Sequence, residues 1–130
     1  MITMNYRRYY MNYRLRSMPY AQTHVEFVHN EGKVLVAVRL YSYRTCILET
    51  ERIEKGGSYY WVTKVLFNPA YSPTTARHVN RYTQELFGYN CYFECKDAWA
   101  NESPLGEVLN TNTVMDFWNE YRQYGKNFHY

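Results

Sequence analysis

Residues 33–67 read KVLVAVRLYSYRTCILETERIEKGGSYYWVTKVLF, and this stretch decides the fold. It is rich in β-branched and aromatic residues, and Lys55-Gly56-Gly57 gives a turn signal inside it. We predict three strands here: KVLVAVRLY as a central strand covered on both faces, then CILETERIE and SYYWVTKVLF. Upstream, THVEFVH alternates apolar and polar residues before the turn Asn30-Glu31-Gly32, which predicts another strand. Four consecutive strands joined by short turns predict an antiparallel meander.

The segment after these strands, YSPTTARHVNRYTQELFG at 71–88, predicts a helix over residues 73–87. Ser72 offers a hydroxyl N-cap, and Pro73 fits the first helical position because its missing N–H is no loss there. Gly88 suits a left-handed C-cap. The buried stripe of this helix is predicted at Val79, Tyr82 or Thr83, and Leu86.

A second helix is predicted near the end of the chain, at about 113–124, with Asn112 or Thr111 as its cap. NCYFEC at 90–95 has the composition of a fifth strand. The sequence therefore predicts an α+β protein with an antiparallel four- to five-stranded sheet and two helices packed on it. Residues 21–130 would form this single domain, and residues 1–20 a basic, aromatic N-terminal arm.

The predicted arm holds the basic character of the chain. The formal net charge is +3, and the four arginines of residues 1–20 exceed it, so the remainder is slightly acidic. A protein that grips duplex DNA usually shows a broader basic face. The spacing of the tyrosines fits a short amphipathic helix as well as an extended arm, and Pro19 ends either. The candidate partner-binding residues of the arm are Arg7, Arg8, Tyr9, Tyr10, Tyr13, Arg14 and Arg16.

Two further charged groups are candidates for contact. Arg77 and Arg81 stand at i and i+4, so they share an exposed face of the predicted helix and could bind phosphate or an acidic partner. The structural alternative is that their stems cover apolar surface. Glu49, Glu51 and Glu54 are predicted to form a solvated edge, which would be the contact face if the partner's groove is basic.

The sequence shows no recognisable catalytic motif. If residues 90–95 are a strand, the sulfurs of Cys91 and Cys95 lie about 13 Å apart, too far to share one zinc ion. We find no Gly-rich phosphate loop, no His-Glu zinc motif and no pair of catalytic carboxylates. We therefore predict no enzymatic activity, no metal and no cofactor. The three cysteines, without a secretory signal or an apolar span, predict reduced thiols in a cytoplasm and no membrane partner.

Two segments resemble a domain of unknown function found in small bacteriophage proteins. LYSYRTCIL at 40–48 is similar to its Ser-Tyr-x-Thr strand, and residues 71–88 are similar to its Tyr-Ser-x-Thr-Thr-x-x-His helix start. Thr83 departs from the pattern, which tends to be apolar at that position. The resemblance covers residues 34–88 and implies a phage or mobile-element origin, but it brings no activity. The matching positions are Ser42, Tyr43, Thr45, Tyr71, Ser72, Thr74, Thr75 and His78.

From this resemblance, the small size and the surplus of tyrosine, we expect a protein that acts by non-enzymatic binding. Tyrosine and arginine are enriched at protein interfaces. The first hypothesis is an inhibitor of a bacterial defence system, such as an anti-CRISPR that occupies a Cas nuclease or another host protein or ribonucleoprotein. The second is a phage accessory protein that binds nucleic acid, because rings interleaved with arginines suit single strands.

Overall fold

The computed structural model describes residues 7–126. Within these residues the chain forms six strands and three helices. In chain order they are β1 (Tyr9–Arg14), β2 (Thr23–His29), β3 (Leu35–Ser42), β4 (Thr45–Lys55), β5 (Ser58–Val65), α1 (Pro73–Phe87), α2 (Tyr92–Ala100), β6 (Val108–Leu109) and α3 (Thr111–Lys126).

The six strands form one antiparallel sheet in the order β1-β2-β3-β4-β5-β6. The predicted α+β class and antiparallel meander are confirmed. Within the described residues, however, the sheet has six strands where four or five were predicted, and three helices where two were predicted. The additional strands are β1 and the two-residue β6.

The predicted fifth strand at 90–95 is wrong, because α2 begins there. Its buried residues are spaced as on a helix: Cys91, Cys95 and Ala98 are buried at i, i+4 and i+7. The Asn90 Oδ1 atom accepts the Tyr92 backbone N–H at 2.9 Å and so satisfies one of the amides at the start of the helix. The composition resembles a strand, but the buried face has helical periodicity.

Residues 9–14 of the predicted arm adopt the extended alternative, as strand β1. All six residues pair with β2, from Tyr9 opposite His29 to Arg14 opposite His24. Residues 1–6 of the predicted arm, and residues 127–130 of the predicted domain, lie outside the described residues.

The helices cover one face of the sheet, where a single apolar core forms. Phe27 of β2 contacts Phe117 and Trp118 of α3, with ring centroids 5.8 and 4.6 Å apart. Tyr82 of α1 meets Phe117 edge-on at 5.9 Å. The core therefore lies between the sheet and the pair α1 and α3.

The opposite face of the sheet carries an ionic row across three strands. Arg39 on β3 bonds Glu26 on β2 at 3.0 Å and Glu49 on β4 at 2.8 Å. On this face Arg39 and Tyr41 of β3 are only partly buried, so β3 is not fully covered on both faces as predicted. The predicted solvated edge at Glu49, Glu51 and Glu54 is also wrong, because β4 lies between β3 and β5.

Helix α1 confirms the predicted bounds and both predicted caps. Ser72 Oγ accepts the Thr75 N–H at 3.1 Å, and Gly88 has a left-handed φ of 85°. Thr83 is fully buried, donates to the Val79 carbonyl and accepts the Cys91 N–H at 3.2 Å. A hydroxyl at this position therefore ties α1 to the start of α2.

Helix α3 begins earlier than predicted, and its cap is neither Asn112 nor Thr111. The Asn110 Oδ1 atom accepts the Thr113 backbone N–H at 2.8 Å. Asn110 precedes the first helical residue, Thr111, which is the usual place for a side-chain N-cap.

Candidate functional site

The two segments that carry the resemblance meet in space at one cavity of about 260 Å³. The end of β3 and the start of β4 provide one wall, and the loop into α1 provides the other. Two lining residues are apolar, Ile47 and Phe67. We call this cavity the hydroxyl pocket, because its other lining residues are Ser42, Tyr43, Thr45, Tyr71, Ser72 and Thr75.

A buried hydrogen bond joins the two segments at the hydroxyl pocket. Ser42 Oγ and His78 Nδ1 are 2.7 Å apart, and both residues are almost fully buried. Burial, together with the neighbouring Arg77 guanidinium, lowers the pKa of His78 below its ordinary value of 6.5. The imidazole is therefore neutral at pH 7, and the bond fixes the end of β3 against α1.

A second polar pair holds the opposite wall of the pocket. Ser72 Oγ lies 3.0 Å from Thr75 Oγ1, in addition to accepting the Thr75 N–H. Ser72 is thus both the helix cap and part of the pocket. The predicted structural role of Ser72 is confirmed, and its position in the cavity gives it a second role that helix capping alone does not explain.

Tyr43 occupies an unusual backbone conformation at the rim of the hydroxyl pocket. Its φ is 56°, in the left-handed region that non-glycine residues seldom adopt. Such a conformation costs on the order of 1–3 kcal/mol and is concentrated at functional sites. The Tyr43 N–H bonds the Gln22 carbonyl at 2.7 Å, which anchors the turn.

The sequence singled out all six hydroxyl-bearing lining residues as the motif of a resemblance, and Ser72 also as a helix cap, but none of them as part of a cavity. Neither segment contains a pattern that identifies a cavity. One feature of the sequence could have indicated the cavity: two short motifs of hydroxyl residues, separated by more than twenty residues, belong to the same resemblance. Their juxtaposition depends on the packing of α1 against β3, which spacing along the chain does not reveal.

A second candidate region is the outer edge of the sheet. Strand β1 pairs with β2 on one side, and no described strand pairs with its other side. Its first residues carry exposed rings, and two exposed arginines precede the strand. We call this region the β1 surface; it comprises Arg7, Arg8, Tyr9, Tyr10 and Met11.

Two residues predicted to bind a partner are used inside the molecule instead. Tyr13 is in the core and meets Trp118 edge-on at 6.0 Å. Arg16 bonds Glu85 of α1 at 3.3 Å and Glu120 of α3 at 2.7 Å. These two side chains therefore do not belong to an exposed surface.

Arg14 remains exposed at the far end of β1, where its Nη1 atom donates to the Pro19 carbonyl at 3.0 Å. This contact places the guanidinium against the chain that follows the strand. Arg14 therefore lies beyond Met11 and outside the β1 surface as defined above.

Arg77 and Arg81 are exposed on α1, as the helical spacing predicts. Together with Asn80, Gln84 and Asn90 they line a shallow cavity of about 280 Å³. The cavity lies between α1 and the loop that leads into α2. It is a polar groove separate from the hydroxyl pocket, with which it shares no residue.

Cys91 and Cys95 are closer together in space than the strand prediction allowed, because helix α2 begins between them. On a helix, side chains at i and i+4 have Cβ atoms about 5–6 Å apart, so the predicted separation of Cys91 and Cys95 is wrong. Burial raises the pKa of Cys91 to about 11 and that of Cys95 to about 12. Both thiols are protonated at neutral pH. Among residues 7–126, no cluster of three or more His, Cys, Asp or Glu side chains is placed to hold a metal ion.

Comparison of the chain with protein-family models, curated proteins and solved structures finds no significant match. None of the helices in the described part of the chain has the length and apolar character needed to cross a bilayer.

Proposed function

We propose that this chain is a non-enzymatic binding protein of phage or mobile-element origin that occupies the surface of a larger host protein. In its concrete form it inhibits a bacterial defence system, as an anti-CRISPR that blocks a Cas nuclease would. It acts in the cytoplasm of the bacterial host. The single observation that carries the proposal is the exposed β1 surface, whose outer edge pairs with no strand among residues 7–126.

An edge strand offers a row of unpaired backbone N–H and C=O groups to an incoming strand. Natural proteins protect such edges with charges, prolines or bulges, and strand addition at an open edge is a common mode of recognition. The β1 pairing with β2 is regular over all six residues. The edge is therefore suited to an extended segment of a partner.

The charges of the β1 surface favour an acidic partner segment. Arg7 and Arg8 are exposed and form no ion pair with a described residue. Exposed Tyr9 and Tyr10 add large, amphipathic contact area of the kind that dominates binding energy. Rings and backbone would supply affinity, while the guanidinium groups would steer the partner into register.

The acidic alternative has less support. Glu49 is engaged by Arg39, and Glu51 lies 4.0 Å from the Lys64 ammonium. These carboxylates are largely balanced within the sheet. Of the three predicted residues, only Glu54 is exposed without an ion-pair partner among the described residues, so a basic groove on the partner would meet one free carboxylate here.

A second function, nucleic-acid binding by a phage accessory protein, is favoured by the same interleaving of rings and cations. Single-stranded nucleic acid is bound by stacked aromatic side chains flanked by positive charge. This function predicts binding to bare oligonucleotides that weakens steeply as salt rises. The defence-inhibitor function predicts a stable complex with a host protein instead.

The decisive experiment is a phage-immunity assay in bacteria that express representative CRISPR–Cas systems. Expression of the chain should restore plaque formation on cells carrying the inhibited system. The double variant Arg7→Glu/Arg8→Glu should abolish this effect, because it reverses the charge that steers the acidic partner. The matched control, Lys33→Glu/Lys55→Glu, changes net charge equally at two exposed residues outside the β1 surface and should retain the effect.

Gel shifts with bare single-stranded and duplex oligonucleotides at two salt concentrations separate the two functions. Salt-sensitive binding that Arg7→Glu/Arg8→Glu removes, without any change in immunity, would establish the accessory function. Failure to inhibit any tested system, together with the absence of a gel shift, would overturn both functions.

A further inference from the structure

We propose that the hydroxyl pocket binds a nucleobase, with the attached phosphate resting against Arg44. This inference goes beyond the proposed function, because the pocket shares no residue with the β1 surface. The wall of the hydroxyl pocket is uncharged, unlike the β1 surface and the groove that contains Arg77 and Arg81.

The first feature of the hydroxyl pocket is its lack of charge. All eight lining side chains are uncharged, and six of them bear hydroxyls. A charged group that left water for this wall would lose hydration without gaining a counter-charge. The part of the ligand that enters the pocket is therefore neutral.

The second feature is the hydrogen-bonding capacity of the wall. Each hydroxyl can donate and accept, but internal bonds already use part of that capacity. Ser42 is bonded to His78, and Ser72 to Thr75. Only one of the two hydroxyls of Ser72 and Thr75 donates in the bond between them. The hydrogen of the other hydroxyl is therefore available to the cavity. The pocket thus presents donors and acceptors together, which matches the mixed donor and acceptor edge of a base.

The third feature is the pair of rings at the rim. Tyr43 is 60% exposed and Tyr71 is 70% exposed. Phe67 meets Tyr71 edge-on at 5.1 Å, which holds that ring in place. Exposed aromatic faces beside a cavity favour stacking with a flat ligand. A nucleobase is flat, neutral and able to donate and accept, so it matches all three features.

The size of the pocket supports one base. Its volume of about 260 Å³ lies just below the range of about 300–1,000 Å³ that is typical of sites for drug-sized ligands. A single ring system fits this space better than a larger molecule would. Any sugar and phosphate attached to the base would remain outside.

The charge needed for a phosphate lies next to the rim. Arg44 follows Tyr43 in the turn between β3 and β4, is exposed, and has no ion-pair partner among the described residues. The strained turn at Tyr43 places the stacking ring and the guanidinium side by side along the chain. The chemistry shared by a free nucleotide and a nucleotide of a single strand is therefore a base with a neighbouring phosphate.

The test measures binding of purified protein to defined probes. The four nucleoside 5′-monophosphates and the four matching nucleosides are titrated by ligand-observed NMR, and fluorescein-labelled single-stranded octamers by anisotropy. Tyr71→Ala should weaken binding of the preferred base about tenfold, as expected for the loss of one stacking ring. Arg44→Gln should weaken binding of the monophosphate but leave the nucleoside unchanged. Thr45→Val, which removes one hydroxyl at nearly constant volume, should alter the preference among bases.

Matched controls separate the pocket from general surface effects. Tyr20→Ala removes a ring that is 91% exposed and outside the pocket, and Lys55→Gln removes an exposed charge at the far end of β4. Both should bind as wild type does. Circular dichroism of each variant verifies the fold, which is expected to persist because Tyr71, Arg44 and Thr45 are exposed.

The outcomes are distinguishable. Binding of monophosphates as tight as that of octamers assigns the pocket to free nucleotides, whereas much tighter binding of octamers assigns it to single strands. Absence of binding to every probe at millimolar concentration, or equal losses in Tyr71→Ala and Tyr20→Ala, overturns the inference. Arg7→Glu/Arg8→Glu should bind the monophosphates normally, so failure of the proposed partner surface and failure of this pocket appear in different variants.

Discussion

Individual polar side chains inside the core connect elements that apolar packing alone would leave free to slide. Thr50 and Thr63 share a hydrogen bond of 2.8 Å between β4 and β5, and both are fully buried. Ser42 and His78 join the end of β3 to α1 in the same way. A buried polar group without a partner would cost about 1–3 kcal/mol. Each pair therefore favours the one packing of its two elements in which both groups are hydrogen-bonded.

The buried His78 makes the protein sensitive to mild acid. Its pKa is lowered in the folded state, so the unfolded chain takes up a proton first as pH falls below 6.5. The part of the stability that depends on neutral His78 is fully present above that pH and is lost as pH falls from 6.5 towards the folded-state pKa. Urea unfolding at pH 7.5 and pH 5.5 should show a lower midpoint at pH 5.5.

A substitution isolates the part of this pH dependence that belongs to His78. His78→Asn can keep an acceptor for the Ser42 hydroxyl but cannot titrate, so its two midpoints should differ less than those of wild type. His24 and His29 also have pKa values lowered by burial, so some dependence should remain. A midpoint difference that His78→Asn leaves unchanged would show that His78 does not contribute.

At the scale of elements, β1 is held to the helices by a close approach as well as by its ladder. Gly125 of α3 lies against the Tyr13 ring, and a Cβ added at Gly125 would overlap that ring. Arg16, just after β1, reaches Glu85 of α1, which also accepts from the Tyr121 hydroxyl at 2.6 Å. The edge strand is thereby fastened to both helices that cover the core.

This close approach reverses the usual effect of replacing a helical glycine. Alanine in a helix is normally favoured over glycine by about 1 kcal/mol. At Gly125 we expect alanine to lower the free energy of unfolding by roughly 1–3 kcal/mol instead, because Tyr13 must move. Thermal or urea unfolding of Gly125→Ala measures the sign.

The matched control for this substitution is Gly106→Ala, where an added Cβ would meet nothing within 4 Å. It should leave stability nearly unchanged. Stabilisation by Gly125→Ala would mean that the Tyr13 ring can give way and that β1 is not fastened at this point.

At the scale of the whole molecule, the basic arm and the α+β domain share one core. Leu15 is fully buried, Tyr13 is nearly so, and Arg16 bridges two helices. The segment that carries the candidate partner-binding residues also completes the fold. Binding experiments that delete this segment would therefore confuse loss of the surface with loss of stability.

Deletion of residues 1–18 should destabilise the protein by at least about 3 kcal/mol, since it removes buried Leu15 and Tyr13 along with β1. Urea unfolding monitored by tryptophan fluorescence measures this loss, because Trp118 packs against Tyr13. Arg7→Glu/Arg8→Glu changes only exposed residues and should unfold as wild type does. A deletion variant as stable as wild type would show that the arm is dispensable for the fold.

Local chemistry made some elements predictable from the sequence and left others ambiguous. Ser72, Pro73 and Gly88 each satisfy a specific requirement at a helix end, so α1 was predicted with its observed bounds. Residues 90–95 have strand-like composition, but a strand would place Phe93 on the same face as buried Cys91 and Cys95, and Phe93 is exposed. Short segments of this kind lack enough residues for periodicity to decide between the two structures.

The meander of β2 to β5, the caps of α1 and the basic, aromatic character of the chain's start follow from the sequence, because each depends on residues adjacent along the chain. Only the tertiary structure decided that β1 joins the sheet, that Tyr13 and Arg16 face inward, and that two separate hydroxyl motifs line one pocket. Those features depend on which distant residues meet when the apolar faces are buried together, and contacts of that kind leave no signature in local spacing.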